Sequence, residues 1–190
     1  MPEPVRRRMT YAELQKLPDD GMRHELIDGR LIMSPSPFLA HQLVVQRIHI
    51  TLYNWVTEHR LGLVLLAPFD VIFDDFNVTE PDLLFVSRSR YERIQKRGVK
   101  GAPDLAIEVL SKGTARIDRG AKARTYATFG VSEYWLVDPQ ARTIQVLVTR
   151  RGQMIEDQLA SKDQSFRSNA LSGFEAKASL LFQDLDEFGQ

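Results

Sequence analysis

Pro103-Asp104-Leu105-Ala106-Ile107-Glu108-Val109-Leu110-Ser111 is followed by a run from Ala115 to Phe129 in which Asp118, Lys122 and Tyr126 recur every four residues. The first segment alternates with period two. That puts Asp104, Ala106, Glu108 and Leu110 on one face of a strand and Leu105, Ile107 and Val109 on the other. A strand whose second face is wholly branched and apolar belongs against a helix layer. The second segment has helical periodicity, and its spacing makes Asp118, Lys122 and Tyr126 one polar stripe. Two carboxylates on so apolar a strand are costly to bury without a cation, a cost that metal or solvent access would resolve, and the stripe is expected to face them. The depths agree. Glu108 lies about 10 Å back from Ser111 at ~3.3 Å per residue, and Lys122 lies about 10 Å along a helix that starts near Ala115 at ~1.5 Å per residue. A return antiparallel to the strand sets the ammonium level with Glu108. As an isolated surface pair, Asp118 and Lys122 would contribute only ~0.3–0.5 kcal/mol.

A second Pro-Asp pair, Pro81-Asp82, opens the apolar strand 82–86. The proline forces an extended approach and so fixes where the Asp82 carboxylate projects. If strands 82–86 and 104–110 are neighbours, Asp82 and Glu108 come within reach of one cation. Three acids and a lysine in a strand, loop, strand, helix unit suit metal-assisted phosphodiester hydrolysis, because hard oxygen ligands must hold a hard cation beside a charged phosphate.

These residues resemble the Uma family of restriction endonucleases, a branch of the PD-(D/E)XK nuclease superfamily. The likeness runs from Arg23-His24-Glu25-Leu26-Ile27-Asp28-Gly29 through Pro81–Val86 and Pro103–Ser111 to Asp118, Lys122, Tyr126 and Glu133-Tyr134-Trp135-Leu136-Val137-Asp138-Pro139. One position departs from it. The superfamily's lysine two residues after the acid would fall at position 110, which is Leu110. The resemblance implies a lysine relocated to the helix at Lys122, with Lys112 as its rival. It further implies a restriction-endonuclease-like α/β fold, a mixed central β-sheet flanked by helices, and a metal-dependent endonuclease that hydrolyses DNA phosphodiester bonds. Glu25, Asp82, Glu108 and Lys122 would be catalytic. Mg2+ or Mn2+ would sit on Asp82 and Glu108, with Asp104 or Glu25 completing the shell, while Asp118 positions Lys122 and Tyr126 supports the stripe. Leu110 motivates a rival reading, a nuclease-fold binding or assembly module without catalysis; a metal phosphoesterase acting on small nucleotides is another. A catalytic Lys122 is expected to matter for rate and little for stability.

The chain has 190 residues, 43% of them hydrophobic, which suits one domain over 1–190 with a real core. Residues 1–9, with Arg6-Arg7-Arg8, and the acidic 184–190 read as frayed tails. There is no cysteine, hence no disulfide framework or thiolate zinc site. No apolar run reaches the ~18 residues of a membrane span, and no apolar h-region follows the arginines. A cytoplasmic location with no membrane partner is expected. Net charge is zero, but Arg88 to Arg124 carries eleven Lys or Arg against four Asp or Glu. A basic window around a carboxylate cluster suits DNA, with Arg88, Arg90, Arg93, Arg97, Arg116 and Arg119 as candidate phosphate contacts. A homodimer is compatible with the chain.

Thr10-Tyr11-Ala12-Glu13 reads as a capping box that opens a short helix ending at Leu17 before Pro18. Asp28-Gly29 predicts a tight hairpin. A long helix is expected over 39–60, ended by Gly62, with His41 and His49 in structural or exposed roles. Strands are expected over 63–67 and 71–73, a turn at Asp74–Asn77, and a short basic helix over 91–97. Strands near 133–137, 143–148, 154–159 and 174–181 are expected to extend the sheet.

Overall fold

A computed structural model describes residues 7–188. The expectation of strand followed by packed helix holds. Strands β1 (Arg23–Ile27), β2 (Arg30–Ser34), β3 (Gly62–Leu66), β4 (Asp70–Asp74), β5 (Asn77–Thr79), β6 (Leu83–Ser87), β7 (Ile94–Gln95), β8 (Gly98–Lys100) and β9 (Leu105–Val109) precede the helical run. Strands β10 (Glu133–Asp138), β11 (Thr143–Arg150), β12 (Gln153–Ser161), β13 (Ser165–Arg167) and β14 (Glu175–Lys177) follow it. The fold is mixed α/β, but there are two six-stranded sheets instead of one. The central sheet runs β12-β11-β10-β9-β6-β3, and the second runs β2-β1-β5-β4-β8-β7. In the central sheet β9 and β10 are parallel, while β6 pairs antiparallel with β9, Leu83 opposite Ile107. Strands 82–86 and 104–110 are therefore neighbours.

The alternation along β9 divides the core. Leu105, Ile107 and Val109 join Val44, Ile48 and Leu52 of helix α2 (Leu39–Glu58), whereas Ala106 and Leu110 join Tyr126 and Tyr134 on the opposite face. Helix α2 ends at Glu58, before Gly62, which instead opens β3. A Cβ on Gly62 would stand 2.1 Å from the carbonyl oxygen of Val86, so the close β3–β6 pairing needs glycine there. The other helix layer is α3 (Ala115–Ile117), a π-helical turn (Asp118–Lys122) and α4 (Ala123–Phe129), with the backbone in the helical region at the junctions. Gly130, at φ 82°, closes it.

Other expectations are corrected. The capping box at Thr10 is present, yet α1 spans only Tyr11–Leu14. The Asp28-Gly29 hairpin is formed, both residues at positive φ. Asn77 does not remain in a turn but begins β5, a central strand of the second sheet. Residues 88–93 form a 3-10 turn and the chain then enters β7 and β8, so the basic helix over 91–97 is absent. The 174–181 segment splits into β14 and a 3-10 turn, and β14 pairs only with β13 in a separate ribbon. Neither supposed tail is loose where it is described. The Met9 amide donates to the Gly29 carbonyl and Arg8 lies over Phe76. At the other end Asp184 pairs with Arg47, and helix α5 (Leu185–Phe188) buries Leu185. Arg6 and the last two residues lie outside the described range. No helix among the described residues is long and apolar enough to cross a membrane.

Candidate active site

The two sheets meet where the chain leaves β5, passes through Glu80-Pro81-Asp82 and enters β6. Glu25 reaches this seam from β1, Glu108 from β9, and Asp118 and Lys122 from the helix over 115–129. The Lys122 ammonium stands 2.8 Å from Glu108 Oε1, 2.8 Å from Glu25 Oε2 and 3.5 Å from Asp118 Oδ1. Tyr126 donates to the same Glu108 oxygen at 3.1 Å. The π turn carries both Asp118 and Lys122, and the Tyr134 hydroxyl donates to the Asp118 carbonyl, pinning that turn to β10.

The structure thus brings together Glu25, Asp82, Glu108, Asp118, Lys122 and Tyr126, all buried. Lys112 is exposed on the turn after β9, away from these groups. Asp104 is not in the cluster. It sits just before β9, accepts from the Ser87 amide and pairs with Arg90. It lies four positions before Glu108, about 13 Å along an extended strand; a shared face did not mean a shared site. Of the six arginines, Arg90 is paired to Asp104, Arg93 donates to the Ala102 carbonyl, and Arg119 faces Gln145 and Asp138. Arg88, Arg97 and Arg116 are exposed.

Three further residues belong to the cluster. Arg23 Nη1 donates to Asp82 Oδ1 at 2.9 Å, and its Nε meets Glu80 Oε1 at 2.9 Å. His41 Nε2 lies 3.0 Å from Asp82 Oδ2, an oxygen that also accepts from the Val109 amide. The sequence held a signal for Arg23, which shares a β1 face with Glu25. For His41, on a helix otherwise built for packing, and for Glu80, one turn residue among several, there was none.

Burial and charge set the electrostatics. Burial raises the Asp82 pKa, but His41, Arg23 and the Val109 amide together hold it below the usual carboxylate range. Glu108 goes the other way: burial pushes its pKa well up, Lys122 opposes this, and the nearby Asp118, Asp82 and Glu25 charges add to the rise. Burial likewise raises Asp118 and takes Glu80 to about 7, against the pull of Arg23. Lys122 is held well above its ordinary pKa: burial alone would lower it, and Glu108 and Glu25 overcome that. Its burial at 3% exposure beside Glu108, Glu25 and Asp118 argues for a structural share as well, against the expectation that removing it would matter little for stability.

Five carboxyl groups, Glu25, Glu80, Asp82, Glu108 and Asp118, share two permanent cations, Arg23 and Lys122, so the acids outnumber those cations by three. Asp118 Oδ1 is buried without a hydrogen-bond partner. This hard, oxygen-rich and charge-deficient set fits a hard divalent cation. Among the described residues, no group of three His, Cys, Asp or Glu side chains stands at ligating spacing. The fit is therefore one of charge and donor type.

A family model described as "Uma2: Putative restriction endonuclease" matches residues 11–180. The chain belongs to this family. No curated protein matches it. Among solved structures, this Uma2 chain is similar to a crystal structure described as a putative nuclease belonging to DUF820 from Anabaena variabilis, with a TM-score of 0.77 and 23% identity. The match covers 92% of this chain and 98% of that one. At that identity the likeness carries the fold alone, a mixed α/β domain.

Proposed function

We propose that the chain is a metal-dependent endonuclease that hydrolyses DNA phosphodiester bonds. The observation that carries the reading is the buried cluster in which Glu25, Glu108 and Asp118 surround Lys122 while Asp82 joins them through Arg23 and His41. Asp82 and Glu108 would hold Mg2+ or Mn2+, with Glu25 at the same seam. Such a cation supplies charge to polarise a phosphoryl oxygen and lowers the pKa of water. The remaining work falls to the chain. His41, Arg23 and the Val109 amide keep Asp82 ionised and oriented, and Tyr126 fixes the Glu108 oxygen that Lys122 also touches. Lys122 offers a fixed positive charge to the negative charge that develops on the phosphoryl oxygens. Asp118 holds Lys122 by its fourth-residue spacing.

Calorimetry tests the assignment directly. Wild type should bind manganese, and Glu108→Gln should bind it more weakly while remaining folded. Equal binding by the two removes Glu108 from the ligand set. A second reading has its own observation: Lys122 and both Asp82 oxygens are fully engaged within the protein, as in a nuclease fold that only binds. Manganese binding without cleavage of any DNA would favour it.

A further inference from the structure

The buried cluster meets solvent through Arg23, Glu80 and His41, and the first two share one opening. Arg23 is 22% exposed and Glu80 15%, while Lys122 and Glu108 are 3% exposed. Arg23 and Glu80 both line a cleft of about 460 Å³ bounded by α1, the turn at Gly21-Met22, Pro35–Pro37 and Pro68. We infer that this cleft takes one unpaired nucleotide beside the scissile phosphate, so that the substrate is single-stranded or locally unpaired DNA in preference to intact duplex. The inference rests on the nuclease reading above.

Size is the first ground. Pockets for single small molecules run from about 300 to 1,000 Å³, so the cleft is of a size to take one nucleotide. A base that enters the cleft must first have left its complement. The walls are the second ground. Tyr11, Met22, Pro35 and Pro37 offer flat or apolar surface of the kind on which a base stacks. Charge is the third. Arg23 presents a planar fork whose Nε and Nη1 are engaged by Glu80 and Asp82, with no protein partner for Nη2 among the described residues.

Fluorescence anisotropy without metal provides the test, using a labelled single-stranded oligonucleotide, its blunt duplex, and the duplex with a single-stranded overhang. Since stacking one base contributes about 1–3 kcal/mol, the single strand and the overhang should bind about tenfold or more tighter than the blunt duplex. Ser36, exposed on the cleft wall and outside the acidic cluster, is the place to obstruct it. Ser36→Trp should abolish the preference by filling the cleft, and Ser36→Glu should do so by charge alone; thermal melts check that both remain folded. Cleavage with manganese should follow the same order of substrates. Duplex bound or cut as well as single strand overturns the inference and leaves the nuclease reading standing, as does an unchanged preference in both folded variants. No binding and no cleavage of any of the three DNAs overturns both.

Discussion

Lys122 is surrounded by Glu108, Glu25 and Asp118, and any substitution there acts on both charge balance and chemistry. Lys122→Ala leaves three buried carboxylates short of their cation, so urea denaturation should show a loss of about 3–5 kcal/mol. Single-turnover cleavage by the fraction that stays folded should fall about a hundredfold, the usual cost of losing such a charge stabiliser. Lys112→Ala, on an exposed turn, should change neither. Normal cleavage by folded Lys122→Ala would leave the lysine a structural counter-ion only. The stripe was legible because Asp118, Lys122 and Tyr126 recur at a helical interval and Glu108 alternates on its strand. Asp104 was misread for the same reason: alternation reports the face and not the distance along it. His41 was missed because a histidine near the start of a long amphipathic helix looks the same whether or not a carboxylate comes to meet it.

At the scale of elements, Glu133 binds the C-terminal loop to the central sheet. Its side chain is fully buried on β10 and accepts from Trp135 Nε1, the Ser168 hydroxyl and the amides of Asn169 and Ala170. Glu133→Ala strands four donors, two of them backbone, each lost partner costing about 1–3 kcal/mol. The variant should lose several kcal/mol in urea denaturation, and its C-terminal ribbon should become sensitive to protease. An unaltered midpoint would mean that water satisfies those donors. The strands of the central sheet were readable from their apolar runs. In the second sheet the β1–β2 hairpin and β4 were readable too, but β5, β7 and β8 were not: they have three, two and three residues, too short to show a period. Their pairing depends on partners distant in sequence, such as Leu26 opposite Val78. Residues 184–188 looked like a tail because their acids outnumber their apolar groups, although burial of Leu185 and the Arg47–Asp184 pair decide their place.

For the molecule as a whole, the acidic seam couples stability to pH. Burial takes Glu80 from an ordinary 4.5 to about 7, so the folded state holds a proton there that the unfolded chain releases. The stability this gives is full below pH ~4.5 and is lost as pH rises through ~7, about 3 kcal/mol for a shift of this size. Glu108, Asp118 and Asp70 are raised too and act in the same direction. Asp82, held low, acts oppositely and loses its contribution only in stronger acid. In chelator, the melting temperature should therefore decline from about pH 5 to pH 8, and Glu80→Gln should flatten the decline. A melting temperature that rises over that range would contradict the burial of these groups. DNA affinity should fall steeply with salt, and replacing exposed Arg116 should reduce that slope, while replacing Arg119, held by Gln145 and Asp138, should alter it less.

The seam between the sheets has a mechanical consequence. Glu25 belongs to one sheet, Glu108 to the other, and Lys122 to a helix laid across them, so one ammonium joins three pieces of the molecule that share little hydrogen-bonded backbone. Whatever neutralises those carboxylates, a proton or a divalent ion, acts as a rivet through all three. Amide exchange in β1 and β5 should slow when the rivet is set and quicken when it is drawn, while the middle of the central sheet keeps its own pace.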